Sequence, residues 1–125
     1  MANSAAPGFG DWLRSRRAEI GLGLRNFAQR TRLDPGNLSK YERGVLPPPQ
    51  DVETLERIAT ALKLKRGSPE HREFMDLAAA SAGRIPPDLA ADPKIVSRMP
   101  LLFRTARGKL TRDELIKLAE RLRGL

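Results

Sequence analysis

Three polar side chains in the run 34–44 (DPGNLSKYERG) carry hydrogen-bonding groups at positions that one helix face would present together. If Leu38 and Tyr41 turn inward, Asn37, Ser39 and Lys40 face solvent or a ligand. An asparagine amide can make two hydrogen bonds to adenine, a lysine can donate one to guanine, and a serine hydroxyl is permissive. These residue types suit recognition through hydrogen bonds.

The residues around this run predict the helix that would position them. Asp34 is a favourable N-cap, Pro35 is a favourable first helical residue, and Gly44 is expected to end the helix. We therefore predict a helix over residues 35–42, called helix three below. The backbone N–H groups at its start can in principle hold a phosphate.

A shorter amphipathic pattern comes immediately before helix three. Apolar residues recur every three or four positions over 24–31, which predicts helix two, and Arg32-Leu33 is the connecting turn. Two short helices joined by such a turn can hold the second at a steep angle, so that it projects into a groove about 12 Å wide. Their crossing requires a small residue, and Ala28 meets that requirement.

The remaining helix signals predict an all-α protein. Residues 9–20 form the first predicted helix, and no stretch alternates in the manner of a strand. Pro100 is expected to interrupt the helix in which it lies. Further helices are predicted to begin at Asp51, Ser68, Asp92 and Thr111, the last within a capping box.

Domain boundaries follow from the breaks between these helices. Residues 1–8 are predicted to be a flexible tail, and the run 85–88 (IPPD) is the strongest break along the chain. We therefore predict a head over 9–83 and a helical C-terminal extension over 84–125.

The charge distribution favours a polyanionic partner. The 125 residues carry a net charge of +8, and the excess lies at the two ends of the chain, with +4 in residues 1–50 and +4 in residues 101–125. Ordinary solubility charge is the alternative reading. Basic residues clustered around a pattern of two short helices favour nucleic acid.

Three blocks of the head resemble the XRE family of regulators, which has a Cro/cI-type helix-turn-helix. Residues 24–28 (LRNFA) resemble the family's L-R-E-F-A, residues 34–44 resemble S-P-x-Y-L-S-x-I-E-R-G, and residues 55–64 resemble L-x-x-I-A-x-A-L-x-L. The resemblance covers residues 10–64, nearly half of the chain. It implies a five-helix, lambda-repressor-like head that binds double-stranded DNA and regulates transcription.

The resemblance also implies roles for particular residues. Arg17 and Glu42 match positions that form a partly buried ion pair in the family. Leu24 departs from the family, because many members have glutamine there and use it to contact DNA. Arg32 replaces a frequent glycine, so we expect it to adopt a left-handed conformation.

The residues that match the family's DNA-contacting positions fall into two groups. Asn37, Ser39 and Lys40 match positions that reach base edges or nearby phosphates. Arg25 and Arg43 match positions that contact the DNA backbone. Because this set has few groups that can read bases, we expect modest specificity from one head, supplemented by dimerisation or DNA shape.

The extension leaves two functions open. Similar helical tails follow such heads in small prokaryotic regulators, including antitoxin-type and phage-type proteins. The apolar faces of 84–125 can form a homodimer, bind a toxin or another partner enzyme, or fold back on the head. Its basic side chains can touch phosphates or form a solvated face; they are Arg104, Arg107, Lys109 and Arg112.

Nothing in the sequence predicts an enzyme, a cofactor or a metal site. His71 is the only histidine, and we expect it to be an exposed surface residue. The chain has no cysteine and no stretch of about 20 apolar residues, so we expect a cytoplasmic, nucleoid-associated protein. The leading hypothesis is a homodimeric repressor that inserts helix three into a palindromic operator. The alternative is an antitoxin-like module that neutralises a partner enzyme and binds DNA to regulate its own synthesis.

Overall fold

The computed structural model describes residues 8–108 and 111–123, and every regular element in these ranges is an α-helix. The prediction of an all-α protein is therefore confirmed. The helices are α1 (Phe9–Glu19), α2 (Leu24–Thr31), α3 (Pro35–Glu42), α4 (Val52–Ala61), α5 (Pro69–Ser81), α6 (Pro87–Ala90), α7 (Pro93–Arg107) and α8 (Arg112–Arg123).

The chain divides into two compact units. Helices α1–α5 belong to the first unit, which ends at Arg84, and α6–α8 belong to the second, which begins at Ile85. We call them the head and the C-terminal unit. The predicted tail, residues 1–8, lies outside the described residues except for Gly8. Within the described ranges, every helix is too short or too polar to cross a lipid bilayer.

Local side chains explain where several helices begin. Asp34, Asp51 and Ser68 are N-caps, and each accepts the backbone N–H three residues further on, at 3.0, 2.9 and 3.2 Å respectively. Asp92 caps α7 by accepting the N–H of Lys94 at 2.9 Å. Such a cap contributes about 1 kcal/mol to helix stability, so these starts follow from residues close in sequence.

The head encloses one apolar core. Phe74 of α5 is fully buried, and its ring centroid lies 5.4 Å from that of Phe9 and 5.7 Å from that of Trp12, both on α1. Burial of one such side chain contributes about 1.5–3 kcal/mol. The other large, fully buried side chains come from α1 to α4 and the residue after α4; they are Leu13, Phe27, Thr31, Leu38, Ile58 and Leu62. The position of α3 therefore depends on the whole head.

The C-terminal unit differs from the sequence prediction at two places. The short helix α6 begins at Pro87, where only a break was predicted. The prediction that Pro100 interrupts its helix is wrong, because α7 continues through it to Arg107. Proline removes the N–H that would bond to the carbonyl of Val96. Both residues are exposed, so water can hydrate that carbonyl.

Candidate nucleic-acid interface

The turn before α3 sets the direction in which α3 leaves α2. Arg32 has φ 59°, so the left-handed conformation expected from the sequence is confirmed. The N–H of Leu33 donates to the carbonyl of Ala28 at 2.9 Å, which closes the end of α2. Ala28 is 1% exposed, and a larger side chain there would disturb the packing of the two helices.

An ion pair fixes the other end of α3. Arg17 Nε donates to Glu42 Oε2 at 2.6 Å, and Arg17 Nη2 donates to Glu42 Oε1 at 2.9 Å. Arg17 Nη1 also donates to the carbonyl of Leu22 at 2.9 Å. The two side chains are only 15% and 6% exposed. One guanidinium thus joins α1, the loop before α2 and the end of α3.

The same ion pair affects the charge of its cation. The hydrogen bond to Glu42 raises the pKa of Arg17, and burial opposes this shift less strongly. Arg17 therefore remains a cation wherever the head is folded. The structure brings together the two residues that the family resemblance paired.

A close backbone approach of α1 to α3 lies beside the ion pair. A Cβ atom on Gly10 would lie 2.5 Å from the carbonyl oxygen of Tyr41 and 2.6 Å from that of Glu42. Real Cβ atoms do not approach backbone oxygens so closely, so only glycine fits. This role is not evident from the sequence, because one glycine early in a helical pattern does not show what it contacts.

The five predicted DNA-contacting residues have different surroundings. Arg25, Asn37 and Lys40 are exposed, and within the described part of the chain their side chains have no hydrogen-bond or ion-pair partner. Ser39 is half-buried, and its hydroxyl accepts the Nε–H of the exposed Arg43 at 3.2 Å. The Ser39 O–H and the remaining Arg43 N–H groups are left to donate to a ligand.

The start of α3 does not support the expected phosphate site. Pro35 has no N–H, the Asn37 N–H donates to the Asp34 carboxylate, and the Leu38 N–H donates to the Asp34 carbonyl. Only the Gly36 N–H is left, beside a carboxylate that repels phosphate. The start of α3 thus has one free N–H where the sequence suggested several, and phosphate binding there stays a prediction.

The start of α2 offers more free donors than the start of α3. Its N-cap, Gly23, supplies no side-chain cap, and the N–H groups of residues 24–26 have no partner among the described residues. The N-terminal end of a helix carries partial positive charge. Exposed Arg25 lies in this first turn, so backbone donors and a cation adjoin there.

Two arginines that the sequence analysis did not single out hold the helices of the head together. Arg16 Nε donates to the carbonyl of Leu62, and Arg57 Nε donates to that of Thr31, both at 3.1 Å. These carbonyls lie at the ends of α4 and α2, where helical partners are lacking. Sequence periodicity could not reveal contacts of this kind, because the acceptors are backbone atoms.

The expectation that His71 is exposed is wrong. It is 8% exposed, and its Nε2 lies 3.0 Å from Glu56 Oε1, which links α5 to α4. The Gly67 N–H lies 3.4 Å from Nδ1. Among the described residues, no group of three or more histidine, aspartate or glutamate side chains is arranged to hold a metal ion.

Comparison with known proteins identifies the same region. A family model described as a helix-turn-helix domain matches residues 9–73, just over half of the chain. The match contains α1 to α4 and the first part of α5. No curated protein and no solved structure matches the chain.

Proposed function

Since the chain belongs to the helix-turn-helix domain family of XRE-like regulators, we propose that it represses transcription by inserting α3 into the major groove of a palindromic operator. Family membership makes the chain a DNA-binding regulator in general terms. The groove, the symmetry of the operator and the direction of regulation are the proposal. The proposed role requires no catalytic step and no cofactor.

The observation that supports this proposal is that both ends of α3 are held by fixed contacts, whereas side chains on its outer face have no partner within the described part of the chain. The Asp34 cap fixes its start, and the pair of Arg17 with Glu42 fixes its end. Between them, the side chains of Asn37 and Lys40 have no partner among the described residues. A rigid helix with unsatisfied donors on its outer face fits recognition of base edges.

We assign the contacts according to these surroundings. Lys40 donates to a guanine, Asn37 bonds an adenine, and Ser39 donates to a base or phosphate acceptor. Arg25 contacts phosphates together with the free N–H groups at the start of α2. The Nε–H of Arg43 is held by Ser39, and its remaining donors contact phosphate.

Selection of bound duplexes from a random pool is the first test, since it yields the preferred site without assuming one. Binding of the Lys40→Ala and Arg25→Ala variants is then measured on the selected site and on point variants of it. Lys40→Ala should lose discrimination at one base pair, by about 1–3 kcal/mol. Arg25→Ala should weaken binding to all sequences alike and reduce the salt slope by about 1.

Lys65→Ala is the matched control, because Lys65 is an exposed cation in the loop between α4 and α5. It should retain the affinity and the preference of the unmodified chain. If the duplex pool shows no enrichment at low salt, or if Lys40→Ala keeps its full base preference, the assignment of α3 is refuted.

Exposed apolar side chains on the C-terminal unit support a further part of the proposal, a homodimer. Val96 is 43% exposed, Phe103 47%, Leu115 55% and Ile116 47%. Exposed apolar side chains that lie together mark protein contacts, and all four of these belong to α7 and α8. Two joined heads would bind half-sites about 34–36 Å apart.

The same apolar side chains also favour the antitoxin-like alternative, in which they bind a partner enzyme. Light scattering on the full chain and on Phe103→Ser separates the two. A dimer that becomes a monomer while one head still binds DNA supports self-association. A pull-down with the product of a neighbouring gene accompanies the light scattering. If Phe103→Ser keeps its oligomeric state but no longer captures that product, the partner enzyme is supported.

A further inference from the structure

The C-terminal unit carries exposed basic side chains that form no ion pair within the described residues. From residue 101 to 123, the described residues include six basic and three acidic side chains, whereas residues 85–100 are balanced, with two of each. Over these two ranges the net excess therefore arises after residue 100, although each half of α7 itself carries two basic and no acidic side chains. All six basic residues are exposed; they are Arg104, Arg107, Arg112, Lys117, Arg121 and Arg123.

None of these six side chains has an intramolecular partner among the described residues. The ion pairs that the structure describes all lie in the head. In the head, Arg16, Arg17 and Arg57 donate to fixed acceptors, whereas Arg25 and Lys40, like these six, have no partner among the described residues. The guanidinium and ammonium groups of the C-terminal unit are therefore free to bind an external anion.

Stabilisation of the helices does not explain the whole set. Cations near a helix C-terminus interact favourably with the helix dipole, and this accounts for Arg104 and Arg107 in the last turn of α7. It also accounts for Arg121 and Arg123 in the last turn of α8. Arg112, the first residue of α8, opposes the dipole of that helix.

One part of the surface forms a groove between α7 and α8. Lys117 and Arg121 line it from α8, and Leu101 and Thr105 line it from α7. Glu114 is the single acid on its wall. Lys117 and Arg121 are one helical turn apart and so occupy one side of α8. Arg104 and Arg107 form a second pair, three residues apart on α7.

We propose that these two pairs, Arg104 with Arg107 and Lys117 with Arg121, bind the phosphates of the duplex that the head recognises. This inference rests on the proposed function of the head. Residues 82–86 alone separate α5 from α6, so a duplex bound by the head is at high local concentration for the C-terminal unit. A duplex bound by the head carries phosphates, and these are anions that the basic side chains of the C-terminal unit can bind.

The test is the salt dependence of DNA binding by the full chain. The probes are a duplex recovered by selection and a mixed-sequence duplex of the same length. Each phosphate contact contributes about 0.9 to the slope of log K against log salt concentration. We expect Arg104→Gln/Arg107→Gln and Lys117→Gln/Arg121→Gln each to reduce the slope by about 1–2 on both probes, with unchanged base preference.

Lys94→Gln/Arg98→Gln is the matched control. It removes the same charge from exposed positions of the same helix, α7, within the segment 85–100, whose charges balance because Asp88 and Asp92 precede the helix. It should leave the slope within about 0.5 of that of the unmodified chain. If all three double variants have the same slope of log K against log salt concentration, the inference is overturned. The basic side chains would then bind an acidic protein or serve only solubility. Failure of the head's function is distinct, because selection from the random pool would then recover no preferred duplex for the unmodified chain.

Discussion

Because the ion pair of Arg17 with Glu42 is buried, the loss of folding stability on removing either partner can be predicted. Glu42→Ala leaves the Arg17 guanidinium with one acceptor, the carbonyl of Leu22, and with 15% of its side chain in contact with water. Removing one partner of a buried pair lowers the free energy of unfolding by about 3–5 kcal/mol. Because Arg17 keeps one acceptor and some contact with water, we expect a loss of about 3 kcal/mol for Glu42→Ala. Arg17→Ala leaves a carboxylate that is 6% exposed without its cation, so we expect about 4–5 kcal/mol.

The assays are urea unfolding, which gives the free energy of unfolding, and thermal unfolding, which gives the melting temperature; both use the full chain and are monitored by helical circular dichroism. A domain of 60–100 residues loses about 4–8 °C in melting temperature per kcal/mol, so Glu42→Ala should lower it by more than about 12 °C. The double variant should lose less than the sum of the single variants, because neither partner is then left buried alone. DNA binding should fall with the folded fraction.

Glu53→Ala is the control for this prediction. Glu53 lies 3.4 Å from Arg57 across one helical turn, but its side chain is 87% exposed. Such a surface pair contributes about 0.3–0.5 kcal/mol. If Glu42→Ala destabilises the head no more than Glu53→Ala, or if the losses at Arg17 and Glu42 simply add, the reasoning from burial is refuted.

Three further predictions concern the backbone and the helix starts. Gly10→Ala should destabilise the head by about 1–3 kcal/mol in the same unfolding assay, because the new methyl group meets backbone carbonyls, whereas Gly8→Ala should be tolerated because open space surrounds it. Arg32→Gly should raise stability by up to about 1 kcal/mol, because glycine adopts φ 59° without strain; a loss would contradict this. Hydrogen bonds from Thr54, first from its side chain and then from its backbone, lower the pKa of Asp51. Its charged form therefore stabilises the fold above the unfolded pKa of about 3.9, and this contribution is lost as the pH falls through the lower folded value. The stability difference between the unmodified chain and Asp51→Asn should shrink below about pH 4, and a difference that is constant with pH would refute the linkage.

Contacts within a few residues were predictable. The caps at Asp34, Asp51 and Ser68 use acceptors and donors three residues apart, so the sequence contains both partners of each bond. The left-handed Arg32 was predicted through the family resemblance, because it occupies a position where many members have glycine. Pro100 shows the limit of a local rule: its exposed position allows α7 to continue.

Contacts between distant residues were not predictable from residue types. Arg16 and Arg57 were two cations among many, and their acceptors are backbone carbonyls 46 and 26 residues away. His71 and Glu56 are 15 residues apart, and only the packing of α5 on α4 brings them to 3.0 Å. Arg17 and Glu42 were paired only through the family resemblance.

The amino-acid order alone specified all the helices except α6, most of their ends, and which side chains of α3 carry donors. This is because capping and amphipathic periodicity act over three or four residues. Which of the head's cations have no intramolecular partner was decided by tertiary packing. Arg17 is buried and joins three elements through hydrogen bonds, whereas Lys40 is exposed and has no partner among the described residues. Which side chains are buried depends on the packing of helices that lie far apart in the sequence.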